Sequence, residues 1–272
     1  KFKNPLYALD ATVIDLCLSM FEWAKFRKTK GAIKLHCLMD IKGAIPTFMV
    51  MTNGKEHEAK VAQNEPFPLL SDSIITFDRG YMDFGVFGAY QQNGIFFVTR
   101  AKSTLKYTVT GQHALPQRKG LLFDKTITLS NVYQRYDYPD NLRLVGFKDP
   151  LTGNYYEFLT NKFKLSAATI ANIYKARWEI ELFFKWIKQN LKVKSFLGTS
   201  KNAVMSQIWI AMIYFLLLSY LKHQTKYRHS LLNLSRIIQE TLFDRRSLID
   251  LLAFKPPDLL RLHTQQAQLS MF

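Results

Sequence analysis

The chain reads as an α/β fold: a mixed sheet flanked by helices, with a mainly β insertion ahead of a long helix. Three observations predict it. The first hundred residues carry β-branched and apolar runs of strand length, residues 101–160 switch to short alternating runs broken by Gly, Pro and Asn, and from Ser166 the apolar period lengthens to that of helices.

The elements follow in order. "LYALDATVIDL", "AIKLHCLMD" and "IPTFMVMT" are three strands separated by the basic turn "KFRKTKG" and by Lys42-Gly43, so an antiparallel meander is expected. A helix over His57 to Gln63 precedes "SIITFD", a fourth strand ending at Asp78. "YMDFGVFGAYQQNG" reads as a helix closed by Asn93-Gly94, and "IFFVTR" as a fifth strand. "KYTVT", "FDKTITL", "LRLVGF" and "YYEFLT" then give the β insertion. Ser166 is a predicted N-cap for one helix running to Leu191, and apolar patterns over 202–222, 229–242 and 246–254 predict three more. The expected organisation is a core in two parts, 1–100 and 161–225, around an insertion at 101–160, with a helical region at 226–272.

Composition narrows the partners. With 272 residues, 48% of them hydrophobic and 14% aromatic, the chain has the means to bury a full core. Thirty-seven Lys plus Arg against twenty-one Asp plus Glu leave a net charge of +16, which favours polyanions, nucleic acid first and an anionic membrane second. Cys17 and Cys37 form no CxxC pair and the six histidines no ligand cluster, so a reduced cytoplasmic protein without structural zinc is expected. The chain starts at Lys1 with no secretory leader, which predicts an N-terminal truncation. "AVMSQIWIAMIYFLLLSYL", Ala203 to Leu221, is close to the ~20 residues of a membrane span. Ser206, Gln207 and Ser219 interrupt it, and a buried core helix is the preferred reading.

The stretch "YKARWEIELFFKWIKQNLK" carries the first chemical signal. With 100° per residue from Tyr174, Arg177 falls at about −60°, Glu181 at about −20° and Lys188 at about −40°, while Glu179 lands near 140°. Ile173, Ile180, Phe184, Ile187 and Leu191 cluster between about −80° and −140°, a core-facing seam beside the polar stripe. A carboxylate at that margin is held by packing while its head reaches a ligand, and the flanking Arg and Lys suit a phosphate. The alternative is an intrahelical ion-pair network, because Arg177 and Glu181 are i, i+4 partners.

Two further acids could complete a divalent-metal site, since such ions take oxygen ligands. Asp10 lies inside the first strand, where an acid is unfavourable unless it points to a site. Asp78 ends the fourth strand, although it would equally serve to cap the next helix. Asp15 competes with Asp10: alternation puts the two on opposite faces without saying which face holds the site.

Together, "DATVIDL", "FDRGY" and Tyr174-x2-Arg177-x3-Glu181-x6-Lys188 resemble the DDE transposases of bacterial insertion sequences, specifically the insertion-sequence-four group with its Y-x2-R-x3-E-x6-K signature. "KGAIKLHCLMD" and "GKEHE" are similar too, so the resemblance covers roughly residues 5 to 222. It implies a ribonuclease H-like fold with a β insertion before the helix carrying the catalytic Glu. It also implies catalytic and metal-binding roles for Asp10, Asp78 and Glu181, with two Mg²⁺ ions for which Mn²⁺ can substitute. Tyr174, Arg177 and Lys188 match residues that hold the DNA backbone, and Lys185, Lys192, Arg79 and Trp178 join them as candidate DNA contacts. The implied partners are double-stranded DNA of transposon ends and target, and a second copy of the chain in a synaptic homodimer. The implied setting is the bacterial cytoplasm at the nucleoid. The region before Asp10 is shorter than the DNA-binding segment usual in this family.

Lesser candidates are His36 and His57, each expected to be a satisfied core or loop histidine, and Tyr133, Tyr136 and Tyr138, possible base-stacking groups in the insertion. A catalytically silent DNA-binding relative and a nuclease that cuts without joining are the competing functions.

Overall fold

The structure, a computed structural model, describes residues 2–28, 30–115, 120–190, 196–243 and 252. The chain divides into two compact units, 1–211 and 212–272.

The first unit is organised on β1 (Leu6–Leu16). Its alternating residues bury Ala8, Thr12 and Ile14 on one side, and the strand pairs antiparallel with β3 (Lys30–Asp40), setting Asp10 opposite Cys37. β3 continues the expected meander to β4 (Ile45–Asn53), and the basic turn contributes a short strand of its own, β2 (Lys25–Arg27), paired to β3. On its other side β1 runs parallel to β5 (Ile74–Phe77), and β5 parallel to β6 (Phe96–Arg100). Parallel neighbours need a crossover. The helix α1 (Glu58–Asn64) lies before β5, and α2 (Phe84–Gln92) links β5 to β6.

Local chemistry sets these boundaries. Asp83 caps α2 by accepting from Val86 N at 3.0 Å. Gly94 ends the helix turn at φ +68°, a left-handed conformation that favours glycine, and an added Cβ would have to push Ser71 Oγ aside.

The strands of 101–160 extend the same sheet. β10 (Tyr155–Thr160) pairs antiparallel with β6, followed outward by β9 (Leu142–Lys148), β8 (Leu121–Leu129) and β7 (Tyr107–Gln112). Between β8 and β9 lies α3 (Val132–Asp137), capped by Asn131, a helix that the strand-and-turn reading missed. Tyr138, expected as a surface stacking group, is core instead: it is 1% exposed, packs edge-on to Phe97 at 6.4 Å and donates to Gln91 Oε1. Tyr133 and Tyr136 are exposed.

One sheet face carries Leu9, Phe77 and Phe97 and packs against Phe87 of α2, with Phe87 and Phe97 stacked at 4.1 Å. A second cluster buries Ile74, Val98, Val145 and Phe158 with Ala167, Ile170, Ala171 and Ile173 of α4 (Ala167–Ala176). Ser166 caps α4 as expected, accepting from Thr169 N at 3.2 Å. The single helix expected from Ser166 to Leu191 is broken at Arg177. Arg177 N bonds to Tyr174 O and Ile180 N to Arg177 O, an i→i−3 tightening, but Arg177 keeps right-handed helical angles (φ −55°, ψ −26°) and α5 (Trp178–Asn190) follows directly. Leu191 lies outside the described residues.

α6 (Lys201–Gln224) crosses from the first unit into the second. It was expected to be a buried core helix, yet burial is confined to a stripe at Val204, Ile208, Met212, Phe215 and Leu218. Trp209, Ile210, Ile213, Leu217 and Tyr220 are exposed. By length and composition α6 is apolar enough to cross a membrane. In the second unit α7 (Leu231–Thr241) is capped by Ser230, and its Ser235 shares a hydrogen bond with Tyr214 at 2.8 Å. The helix expected over 246–254 lies outside the described residues except at Leu252. Both cysteines are free.

Candidate active site

Strand alternation left Asp10 and Asp15 as equals, and packing separates them. α5 packs across β1, on the side where Asp10 and Thr12 line a cleft with Glu181, while Asp15 is exposed. Asp10 Oδ1 accepts from Ala11 N at 2.8 Å, and its Oδ2 accepts from Arg177 Nη1. Arg177 Nη2 donates to Glu181 Oε1. One guanidinium thus joins carboxylates that are 171 residues apart, from Asp10 to Glu181, as well as forming the i, i+4 pair that the helix alone predicts. Glu179 is exposed, as its place on the wheel requires.

Asp78 arrives through the sheet. The parallel register sets Leu9 opposite Phe77, so the next residue along each strand is Asp10 and Asp78. Asp78 also fills the alternative role foreseen for it, since its Oδ1 accepts from Arg79 N at 2.6 Å and caps a 3₁₀ turn over Arg79–Tyr81. Below that turn Tyr81 is 2% exposed, and its hydroxyl is 2.7 Å from Nδ1 of the fully buried His36, whose Nε2 is 3.2 Å from Thr52 Oγ1. His36 is therefore a satisfied core histidine. His57 is largely exposed at the start of α1, 3.8 Å from Glu58.

The electrostatics follow from burial and like charge. Burial lifts the Asp10 carboxyl to about 6; Arg177 opposes the rise, while Asp78 and Glu181 add to it. Burial also raises the phenols of Tyr81 and Tyr174, and Asp78 pushes both further. Tyr174 lies under Arg177, with the guanidinium carbon 5.5 Å from its ring centroid, and its ring packs on Phe158 at 5.0 Å. Arg100, at the end of β6 beside the strand bearing Asp78, opposes the shift of Tyr174 and is a site neighbour that sequence reasoning missed. The available signal was its place at a strand end next to "ITFD".

A cleft of about 440 Å³ is lined by Asp10, Ala11, Thr12, Glu181, Phe184, Lys185, Lys188 and Gln189. Lys185 and Lys188 are exposed there, which brings two of the expected phosphate-binding cations to the acids. Arg79 and Trp178 are exposed but do not line the cleft, and Lys192 lies outside the described residues. A larger groove of about 900 Å³ between α1 and α2 contains none of the site residues.

The donor chemistry suits a hard divalent cation, because the acids offer oxygen alone and two of them already converge on one positive group. That group is the guanidinium of Arg177. Among the described residues, no three His, Cys, Asp or Glu side chains are gathered around a single ion position.

Residues 1–217 match the family model described as the transposase DDE domain. A Sinorhizobium fredii protein named as a transposase is 32% identical over 247 residues, covering 89% of this chain and 68% of that protein. A Geobacillus stearothermophilus protein named as a transposase for an insertion sequence element is 29% identical over 237 residues, or 83% and 59%. The solved piggyBac transposase synaptic complex with hairpin DNA superposes with a TM-score of 0.53 at 11% identity, covering 98% of this chain and 57% of that one. That likeness concerns the fold and agrees with a ribonuclease H-like mixed sheet. The chain spans 59 to 68% of the length of these two sequence relatives.

Proposed function

The chain belongs to the transposase DDE domain family, and on that premise we propose that it is the catalytic domain of a DNA transposase, cutting DNA at transposon ends and joining the freed end to target DNA. The observation that carries this reading is the convergence of Asp10 and Glu181 on Arg177, with Asp78 one strand away. The full Tyr174, Arg177, Glu181 and Lys188 spacing supports placement in the insertion-sequence-four group.

In this reading Asp10, Asp78 and Glu181 hold two Mg²⁺ ions, replaceable by Mn²⁺. Bound metal supplies the charge that activates an attacking oxygen and stabilises the leaving one. The chain's own residues do the rest. The buried setting of Asp10 keeps it positioned and makes its charge responsive to a cation. Lys185 and Lys188 neutralise phosphate at the cleft, and Tyr174 and Arg177 hold the backbone next to the reacting bond. Arg79 and Trp178, both exposed, and Lys192 are further proposed contacts. Double-stranded DNA is the partner, a homodimer the synaptic form, and the bacterial cytoplasm at the nucleoid the setting. The net charge of +16 suits such a partner.

Duplexes carrying the inverted repeats that flank the gene test the proposal. Glu181→Gln is expected to abolish Mg²⁺-dependent cleavage while duplex binding persists; cleavage at the unaltered rate would overturn the three-acid site. Strand-transfer products distinguish a transposase from a nuclease that only cuts. A catalytically silent relative would not cut at all.

A further inference from the structure

We propose that Arg177 is an exchangeable cap on the metal site: it neutralises Asp10 and Glu181 while DNA is absent and passes to a DNA phosphate as metal takes its place, so that DNA and metal load together. The proposal rests on the function proposed above and adds an order of events to it.

Three observations carry it. First, the guanidinium and a metal ion need the same oxygens, because Nη1 is on Asp10 and Nη2 on Glu181. The two occupants exclude one another. Second, the two acids do not fully satisfy Arg177: its Nε is buried and makes no well-formed hydrogen bond among the described residues, although the Tyr174 phenol lies within the guanidinium's reach. A buried donor without a well-formed bond makes the capped state less favourable than a fully bonded one, and a phosphate offers oxygens that suit a guanidinium fork. Third, Glu181, Lys185 and Lys188 of α5 line one cleft, so a phosphate drawn by the two lysines arrives beside the acid that Arg177 holds. Arg177 itself lies at the α4–α5 junction, where its backbone makes the tightened turn while keeping right-handed helical angles.

The arrangement has a functional consequence. Without DNA the acids are paired internally and compete poorly for divalent ions, so the chain is guarded against metal-driven nicking until a duplex is seated. With DNA the guanidinium has a better anion, and the carboxylates become available together.

The test is Mn²⁺ binding, read as free Mn²⁺ by electron paramagnetic resonance at pH 8, where Asp10 is ionised. The intact chain is measured with and without the inverted-repeat duplex, and binding to the duplex alone is subtracted. The unaltered chain is expected to bind Mn²⁺ at least tenfold more tightly with duplex than without. Arg177→Ala is expected to bind without duplex at least tenfold more tightly than the unaltered chain, and the duplex is expected to add less than threefold. Arg177→Lys, which keeps a charge but cannot fork, is expected to fall between them and serves if the alanine variant does not fold by circular dichroism. A folded Arg177 variant with unaltered or weaker Mn²⁺ affinity overturns the cap. Asp10→Asn in the Arg177→Ala background separates the two levels. If it lowers Mn²⁺ affinity while Arg177→Ala alone changes nothing, only the cap fails. If it leaves Mn²⁺ affinity untouched, the acids are not the metal ligands, and the proposed function fails with the cap.

Discussion

Arg143 and Arg177 are both inward-facing arginines that grip carboxylates, yet one belongs to the insertion and the other to the site, and their bonding differs accordingly. Arg143 on β9 uses all three nitrogens: Nε and Nη2 hold both oxygens of Asp124 at 2.8 and 2.6 Å, and Nη1 donates to the carbonyls of Lys162, Phe163 and Leu165. Its pair is 6% and 4% exposed. This saturated staple ties β8 and β9 to the turn that launches α4. Arg177 leaves Nε without a well-formed hydrogen bond, and it shares itself between an acid that is 18% exposed and one that is 34% exposed. Full satisfaction fixes a structure. Partial satisfaction at a cleft leaves a group free to change partners.

Substitutions can break or sharpen this contrast. The largest effect expected is on chemistry: Glu181→Gln should cost cleavage about 10³-fold or more, equivalent to about 4 kcal/mol of barrier, measured as single-turnover cutting of the end duplex. Arg143→Ala should produce the largest loss of stability, about 3–5 kcal/mol in denaturant unfolding, since it strands a buried Asp124 and three carbonyls. A loss below 1 kcal/mol would deny that the pair is a staple.

On β3, on the side of β1 away from β9, His36 has a buried ring that is pushed down to about 4 by loss of water first and by Lys34 second. A histidine depressed in the folded state contributes stability above its ordinary value near 6.5, and that stability is lost as the pH falls toward the folded value. The predicted loss between pH 6.5 and pH 4 is about 3 kcal/mol relative to His36→Gln. Equal acid sensitivity of the two proteins would refute it.

Arg177→Ala should destabilise by less than half as much as Arg143→Ala, about 1–2 kcal/mol, because its partners keep access to water and Asp10 can take up a proton. Equal costs would erase the distinction drawn between the two arginines. Smallest of all, Glu179→Gln should leave cleavage unchanged and shift unfolding by no more than about 0.5 kcal/mol, being exposed on the opposite side of the helix.

Much of the fold was legible locally. β-Branched and apolar runs marked β1, β5 and β6 within a residue of their observed ends, and Asn93-Gly94 closed α2 as turn chemistry requires. The failures have identifiable causes. "VYQRYD" is a six-residue helix, too short to show a period, so α3 was read as part of a β stretch. Tyr138 looked like a surface aromatic because three tyrosines lay close in sequence, and only the fold places Phe97 against it. The apolar content of α6 suggested burial all round, whereas a helix can only bury the side that something covers. The break at Arg177 leaves no trace in composition, since every residue around it is an acceptable helix former.

The site divides in the same way. That Glu181 and not Glu179 accompanies Arg177 is determined by the sequence itself, because i, i+4 neighbours on a helix meet whatever surrounds them. That Asp10 and not Asp15 joins them, and that Arg177 reaches across to Asp10, was decided only by tertiary structure. A strand presents two equivalent faces until a helix lies over one, and the packing of α5 on β1 is the event that makes them different.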